Sequence, residues 1–196
     1  MKYTGPKVKL SRKIGVALKP KAQEALDKSA SQRGGPRRDR LSDYGFQLLE
    51  KQKLRFQYNI SEKQMRRYFQ KASRMKGKTG SNLVSLLESR LDALVLRAGF
   101  APTIFAARQI VSHGHFDLNG KRARIPSILV RAGDEISVRE KSRKLEIFEM
   151  DWSVYSPPDY IDRNTEELKA SMVRKPEREE IPVVCEEQYV VEYYSR

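Results

Sequence analysis

The chain has 196 residues, 39% hydrophobic and 33% charged, with 39 Lys and Arg against 25 Asp and Glu for a formal net charge of +14. That composition supports one or two domains with a small core, some parts of which gain order from a partner. No apolar run reaches the ~18 residues needed to cross a bilayer, the opening MKYTGPKVKLSRK does not read as a signal peptide, and a single cysteine, Cys185, leaves no disulfide framework or cysteine-based zinc site and fits a reducing cytoplasm.

Charge is distributed unevenly. Residues 1–80 hold 22 Lys and Arg against 6 Asp and Glu, residues 81–148 hold 11 against 7, and residues 149–196 hold 6 against 12. A basic front half implies a polyanion, with nucleic acid the better candidate than a membrane.

Residues 1–41 contain Gly5-Pro6, Lys19-Pro20 and Gly34-Gly35-Pro36 and predict an extended basic arm that lies on RNA, with one short helix over Lys19 to Ser31. Ser42 or Asp43 caps a helix running to about Tyr58, though its apolar spacing is untidy. Ser61 and Gln64 stand at capping-box spacing and open a cleaner helix, with Met65, Tyr68, Phe69, Ala72 and Met75 on one face and Arg66, Arg67, Lys71 and Arg74 mostly off it. Ser81 or Asn82 then caps a helix whose stripe runs Leu83, Leu86, Leu87, Leu91, Leu94, Val95 and Ala98, closed by Gly99. Thr103 caps a shorter helix ending at Gly114. Phe116 and Leu118 alternate into Asn119-Gly120, a strong hairpin signal, and Ile136 and Val138 follow a turn at Gly133-Asp134. Beyond these, strands are expected at 145–149 and 188–194 and a helix from Thr165 to Met172. No repeat is evident.

The leucine stripe is core. The side chains expected outside it, Arg90, Arg97, Arg108 and Gln109, together with Lys121, Arg122 and Arg124 of the turn, give one compact unit many donors for phosphates and base edges. A lone helical Arg is usually a solvated charge; seven donors in a basic protein favour RNA contact. Other motifs fail. Arg90-Leu91-Asp92 sits within the apolar stripe, which makes Asp92 a surface carboxylate or an ion-pair partner rather than a nucleophile. Gly77-Lys78-Thr79 lacks the earlier Gly of a phosphate-binding loop, since Ala72 stands there. His113 and His115 are the only histidines, and no Cys or carboxylate cluster joins them, so no metal, cofactor or catalytic group is expected.

The stretch RLDALVLRAGFAPTIFAARQIVSHGHFDLNGKRARIPSILVRAGDEISVREKSRK resembles the RNA-binding module named after small-subunit ribosomal protein S-four. The segments YTGPKVKLSR, RLSDYGFQLLEKQKLRFQY, KGKTGSNLVSLLESRLDALVLRAGF, VRKPERE and EEQYVVEYYSR resemble that family along the rest of the chain, most weakly over 15–35 and 150–165. Some members carry an N-terminal zinc-binding cysteine cluster. Residues 1–41 contain neither Cys nor His, so this is a zinc-free form.

The resemblance implies that Arg108, Gln109, His113, Asn119, Gly120, Lys121 and Arg122 face RNA, with Lys7, Lys9, Arg12 and Lys13 of the arm and Arg66 and Arg67 as further RNA contacts. It implies that Arg37, Arg38 and Arg40 line a path for messenger RNA. It places a contact with ribosomal protein S-five, linked to decoding accuracy, at Arg174, Lys175, Arg178, Glu192 and Tyr193. The alternative role for the acidic end is a seam against this chain's own basic half.

The expected fold is α+β: an extended basic arm (1–41), a helical domain (42–89) completed by an acidic C-terminal segment (150–196), and an inserted module of two helices and a short antiparallel sheet (90–149). The expected function is a non-enzymatic, non-oligomeric constituent of the small subunit of a cytoplasmic or organellar ribosome that binds the 5′ domain of small-subunit rRNA and nucleates assembly. Pseudouridine synthases and a ribosome-rescue protein use the same module and are the rivals. The former need a catalytic domain for which about 50 residues after the module leave too little room.

Overall fold

Two units, each with its own buried side chains, emerge from the computed structural model, which describes residues 3–33, 42–149 and 156–196. One comprises Met1–Leu83 with Pro182–Arg196 and the other Val84–Ile181. These limits differ from the expected ones: only the last fifteen residues return to the helical unit, and residues 156–181 belong with the module.

The first unit is helical. Residues 7–14, expected to be extended, form α1 (Lys7–Ile14). Leu10 and Ile14, one turn apart, are buried, and Gly15 closes the helix in the left-handed conformation at φ +71°. Ser11 Oγ donates to Lys7 O and accepts Leu18 N–H, which turns the chain into α2 (Pro20–Arg33). Gly5-Pro6, Lys19-Pro20 and the high density of Lys and Arg favour an extended arm locally, but burial of Leu10 and Ile14 makes residues 7–14 helical.

In α3 (Asp43–Gln57), Ser42 Oγ accepts Gly45 N–H at 3.3 Å. Its spacing is untidy because its buried face is partly polar: Gln47, Glu50, Lys51 and Lys53 are all buried. Each of these side chains has a polar partner, although Gln47 Oε1 accepts no hydrogen bond. Lys53 Nζ meets Glu50 Oε1 at 2.5 Å, Lys51 Nζ meets Glu62 Oε2 at 3.0 Å, and Gln47 Nε2 donates to Glu192 Oε2 at 3.0 Å. Helix α4 (Glu62–Ser73) starts with the complete capping box expected of Ser61 and Gln64 and buries Met65 and Ala72.

The C-terminal QYVVEYY, expected as a strand, is α9 (Glu187–Ser195). Its β-branched and aromatic residues favour a strand locally, but strand preference yields to tertiary context. As a helix, α9 buries Val190 and sets Tyr194 Oη against Glu62 Oε1 at 2.7 Å. Glu186 N–H donates to Glu50 Oε2 at 3.0 Å, and Gln57 exchanges two hydrogen bonds with the backbone of Val184.

The second unit starts inside α5 (Thr79–Glu88), which opens at Thr79, ahead of the expected caps. The leucine stripe does not run through one helix. It breaks at Ser89-Arg90, and α6 (Leu91–Arg97) starts afresh. A separate chain segment takes the backbone groups at the break. Arg90 bridges to Leu129, Leu91 N–H donates to Ile128 O, Asp92 N–H to Pro126 O, and Val130 N–H to Ser89 O. Helix α7 (Ile104–His113) has the expected cap, Thr103 Oγ1 accepting Ala106 N–H, and ends at Gly114.

Strands β1 (Phe116–Leu118), β2 (Lys121–Ala123), β3 (Glu135–Val138), β4 (Ile161–Asn164) and β5 (Lys169–Met172) form one sheet in the order β2-β1-β3-β5-β4, every pair antiparallel. Residues 165–172 are thus a turn and a strand instead of the expected helix. Leu168 adopts φ +53°, and Asn164 Oδ1 accepts Glu167 N–H at 3.0 Å. Residues 145–149, expected as a strand, hold the short helix α8 (Glu146–Glu149). Leu91, Leu94, Val95, Phe100, Phe116, Ile136, Phe148 and Tyr160 share one core between helices and sheet. The fold class is α+β.

Candidate nucleic-acid interface

Asn119 and Gly120 both have positive φ, +49° and +74°, the conformation a two-residue hairpin turn demands. They set Leu118 opposite Lys121 and Phe116 opposite Ala123, which leaves Lys121, Arg122 and Arg124 exposed. The Asn119 side chain is occupied: it donates to Asp134 Oδ1 at 2.8 Å and accepts Glu135 N–H at 2.9 Å, tying the hairpin to the turn before β3. Its role here is to hold the turn.

The hairpin folds onto the end of α7. Arg122 Nε donates to Gly114 O at 3.2 Å and its Nη2 to His113 O at 3.3 Å. A positive charge is favoured at a helix C-terminus. The approach needs glycine: a Cβ on Gly114 would stand 2.7 Å from Arg122 Nε and 3.0 Å from Arg124 Cγ, at φ +75°. Gln109 and His113 are exposed on the same helix. The structure therefore brings Gln109, His113, Lys121, Arg122 and Arg124 onto α7 and the adjoining hairpin.

Two further side chains join them, Arg139 and His115, neither among the site residues expected from the sequence. Arg139, directly after β3, pairs with Asp117 of β1 at 3.3 Å and donates its backbone N–H to His115 O. His115 Nδ1 lies 2.9 Å from Ser142 Oγ, and its ring centroid is 5.9 Å from that of His113. Burial, then His113, Arg122 and Arg139, push the His115 imidazolium below its ordinary pKa. Partial desolvation, then Arg124 and Arg139, act the same way on Arg122 against the pull of Asp117. Mutual repulsion among fixed cations is relieved by an anion. The hairpin pairing was visible in the sequence, and extending it by one strand would have brought Arg139 to Asp117.

Three expected donors are elsewhere. Arg90 is fully buried, with Nε 2.9 Å from Asp92 Oδ1 and Nη2 2.6 Å from Oδ2. Arg108 is 8% exposed and reaches the same Oδ2 with Nη1 at 3.0 Å. Asp92, itself buried, also accepts Ala93 N–H at 3.1 Å. This ion triad sits inside the module and is an internal brace; the expectation that Arg90 and Arg108 face outward is corrected. Arg97 is largely covered and pairs with Glu88, whose Oε1 also accepts Tyr160 Oη–H at 2.8 Å. Burial, with Glu88 beside it, drives the Tyr160 phenol far above its ordinary pKa.

In the helical unit, Lys9, Arg12, Lys13, Arg66 and Arg67 are exposed, whereas Lys7 is half-buried and donates to Tyr3 O and Gly5 O at 2.9 and 3.0 Å. Arg37, Arg38 and Arg40 lie outside the described residues. Two of the expected protein-contact residues are engaged within the chain. Glu192 accepts from Gln47, and the Tyr193 ring lies 4.5 Å from Lys51 Nζ and packs on Tyr44 and Tyr194. This matches the alternative of a seam against the chain's own basic half. Arg174 pairs with Glu180, Arg178 Nη1 donates to Ile181 O at 3.3 Å, and Lys175 is exposed. Among the described residues no group of three or more His, Cys, Asp or Glu could hold a metal, and no helix is long and apolar enough to cross a membrane.

The family model described as "Ribosomal protein S4/S9 N-terminal domain" matches residues 2–88 and the "S4 domain" matches 89–136. The chain is 50% identical to small ribosomal subunit protein uS4 of Micrococcus luteus, covering 96% of this chain and 95% of that one. It is 46% identical to uS4 of Brevibacillus brevis over 100% and 99%, and 47% identical to uS4 of Streptomyces avermitilis over 97% of each.

Proposed function

The chain belongs to the bacterial-type small ribosomal subunit protein uS4 family, and from that premise we propose that it is a structural constituent of the small ribosomal subunit that binds small-subunit rRNA in the cytoplasm. The observation that carries the reading is the group of exposed cations on the α7–hairpin surface, held on a braced scaffold with Asp117 the one carboxylate ion-paired to it among the described residues.

Binding is electrostatic in affinity and geometric in specificity. Lys121, Arg122 and Arg124 neutralise phosphates and release counterions, so affinity falls steeply with salt. A-form grooves hide most base edges, so RNA is recognised by shape and backbone path. The rigid turn and the Arg122 contact with α7 fix the donors before RNA arrives, which limits the entropy lost on binding. Folded RNA is bound in preference to unfolded RNA, and the junction gains stability by mass action. Through this the chain nucleates assembly around the 5′ domain of the rRNA. Lys9, Arg12, Lys13, Arg66 and Arg67 supply further phosphate contacts from the helical unit, and Arg37, Arg38 and Arg40 line the path of entering messenger RNA.

Contact with ribosomal protein S-five, with its effect on accuracy, falls to Arg174, Lys175 and Arg178 beside exposed Val173. Glu192 and Tyr193 contribute indirectly, by fixing α9. Catalysis has no support in this reading. Asp92, the one residue set in a nucleophile-like motif, is buried between two arginines. The protein acts as a single copy. Sedimentation in high salt tests the proposal: the chain is expected to remain with small subunits, and its quantitative release would contradict it.

A further inference from the structure

We propose that His115 and Arg139 complete, with Arg122 and Arg124, a phosphate-binding subsite at the α7–hairpin junction whose occupation by an RNA backbone phosphate takes up one proton on His115. The inference deepens the rRNA-binding reading and rests on it.

The geometry assembles the subsite from four pieces of chain. The C-terminus of α7 contributes His113 and bare Gly114, over which Arg122 and Arg124 of the β2 side close. Strand β1 contributes Asp117, and the residue after β3 contributes Arg139, whose guanidinium is anchored on Asp117 at 3.3 Å and whose backbone N–H is bonded to His115 O. His115 is fixed from the far side by Ser142 Oγ at 2.9 Å and by the edge-on ring of Phe148, with centroids 6.5 Å apart.

Three arginines and two imidazoles thus meet at this junction, where Asp117, paired with Arg139, is the one carboxylate in an ion pair among the described residues. A fixed cluster of this kind repels itself in the free protein, and the group able to shed its charge near neutral pH is a histidine. His115 is the one on which burial, His113, Arg122 and Arg139 all press in the same direction, toward the neutral ring. A phosphate diester carries a full negative charge throughout the biological pH range and reverses that balance, so the complex favours the imidazolium. The sign follows. A group whose pKa rises on binding makes affinity rise as pH falls toward the free-state pKa, with about tenfold in affinity for each unit of the rise.

The full chain is titrated with small-subunit rRNA at constant ionic strength from pH 8 to pH 5.5, alongside His115→Gln. Glutamine can still bond Ser142 but cannot take a proton. Affinity of the unaltered chain is expected to increase several-fold on acidification, and that of His115→Gln, which keeps His113, to increase distinctly less. Equal pH slopes for the two overturn the proposal. Absence of RNA binding by the unaltered chain at every pH overturns the functional reading itself, and the two failures are thereby distinct. A second measurement needs no variant. The imidazole NMR signals of the unaltered chain, which has only two histidines, are titrated with and without RNA. An upward shift of the His115 midpoint supports the proposal, and an unchanged midpoint refutes it. Inorganic phosphate at matched phosphate concentration is the control: a shift as large as that with RNA would identify a free-anion site and overturn the assignment to the RNA backbone.

Discussion

Replacing Asp92 with alanine removes a buried counter-charge that two arginines of the second unit share. Asp92 accepts from Arg90 at 2.9 and 2.6 Å, from Arg108 at 3.0 Å and from Ala93 N–H. Arg90 has no exposed surface, so its guanidinium cannot turn to water without opening the unit, while Arg108 retains a narrow edge. Removing one partner of a buried pair costs about 3–5 kcal/mol because a desolvated charge is left uncompensated. With two arginines affected at once, Asp92→Ala is expected at the upper end of that range. Hydrogen exchange read on peptides covering 91–97 and 104–113 reports the opening free energy of this unit. The combined variant Arg90→Met, Asp92→Leu, Arg108→Met is expected to recover most of the loss, since packed apolar groups of similar volume often replace a buried ion triad without penalty. A loss below about 1 kcal/mol for Asp92→Ala would instead mean that these charges remain hydrated and that the triad is no brace. The same logic separates brace from contact: Arg108→Met is expected to reduce stability while leaving the salt dependence of RNA binding unchanged.

Gly114→Ala is expected to cost about 1–2 kcal/mol in a thermal melt for the left-handed backbone alone, and to weaken RNA binding several-fold in a filter assay, because the new Cβ displaces Arg122 from the end of α7. Acid sensitivity of the helical unit is expected to depend on Glu62. Burial acts to raise its pKa, but the Tyr194 hydroxyl, Lys51 and Arg55 outweigh it and hold the carboxyl below its ordinary value. Stability from this lowered pKa is complete above the unfolded value of about 4.3 and is lost as pH falls through the folded value. Melting midpoints measured from pH 7 to pH 3 are expected to fall less steeply for Glu62→Gln, and parallel curves would contradict the assignment.

Local signals in the sequence survived wherever local chemistry decides the structure. Ser61 and Gln64 capped α4 as their spacing requires, Thr103 capped α7, and Asn119-Gly120 formed the hairpin turn. The reading failed where a distant segment decides. Nothing in the stripe from Leu83 to Ala98 reveals that residues 126–130 capture the backbone at Ser89-Arg90 and split the helix. QYVVEYY reads as a strand until α3 provides a face for Val190 and polar partners for Glu192 and Tyr194 are in place. Lys169–Met172 reads as part of a helix until β3 offers an edge to pair with.

The candidate interface shows the same division. Exposed Lys121, Arg122 and Arg124 were legible because a two-residue turn fixes its neighbours. The burial of Arg108 was not, because residue type gives the charge while the partner, Asp92, lies sixteen positions away. His115 and Arg139 are not legible for a related reason: the fold, through a third strand, is what brings them to Arg122.

Whether the exposed cations of the α7–hairpin surface grip structured rRNA through its phosphates is read from a salt titration. Binding of the full chain to small-subunit rRNA is measured from low to high salt beside a variant with Lys121, Arg122 and Arg124 all changed to glutamine. The logarithmic slope is expected to be shallower by about 2–3 for the variant, at roughly 0.7–0.9 for each phosphate that the glutamines leave unneutralised. Identical slopes and affinities for the two proteins would contradict such a grip.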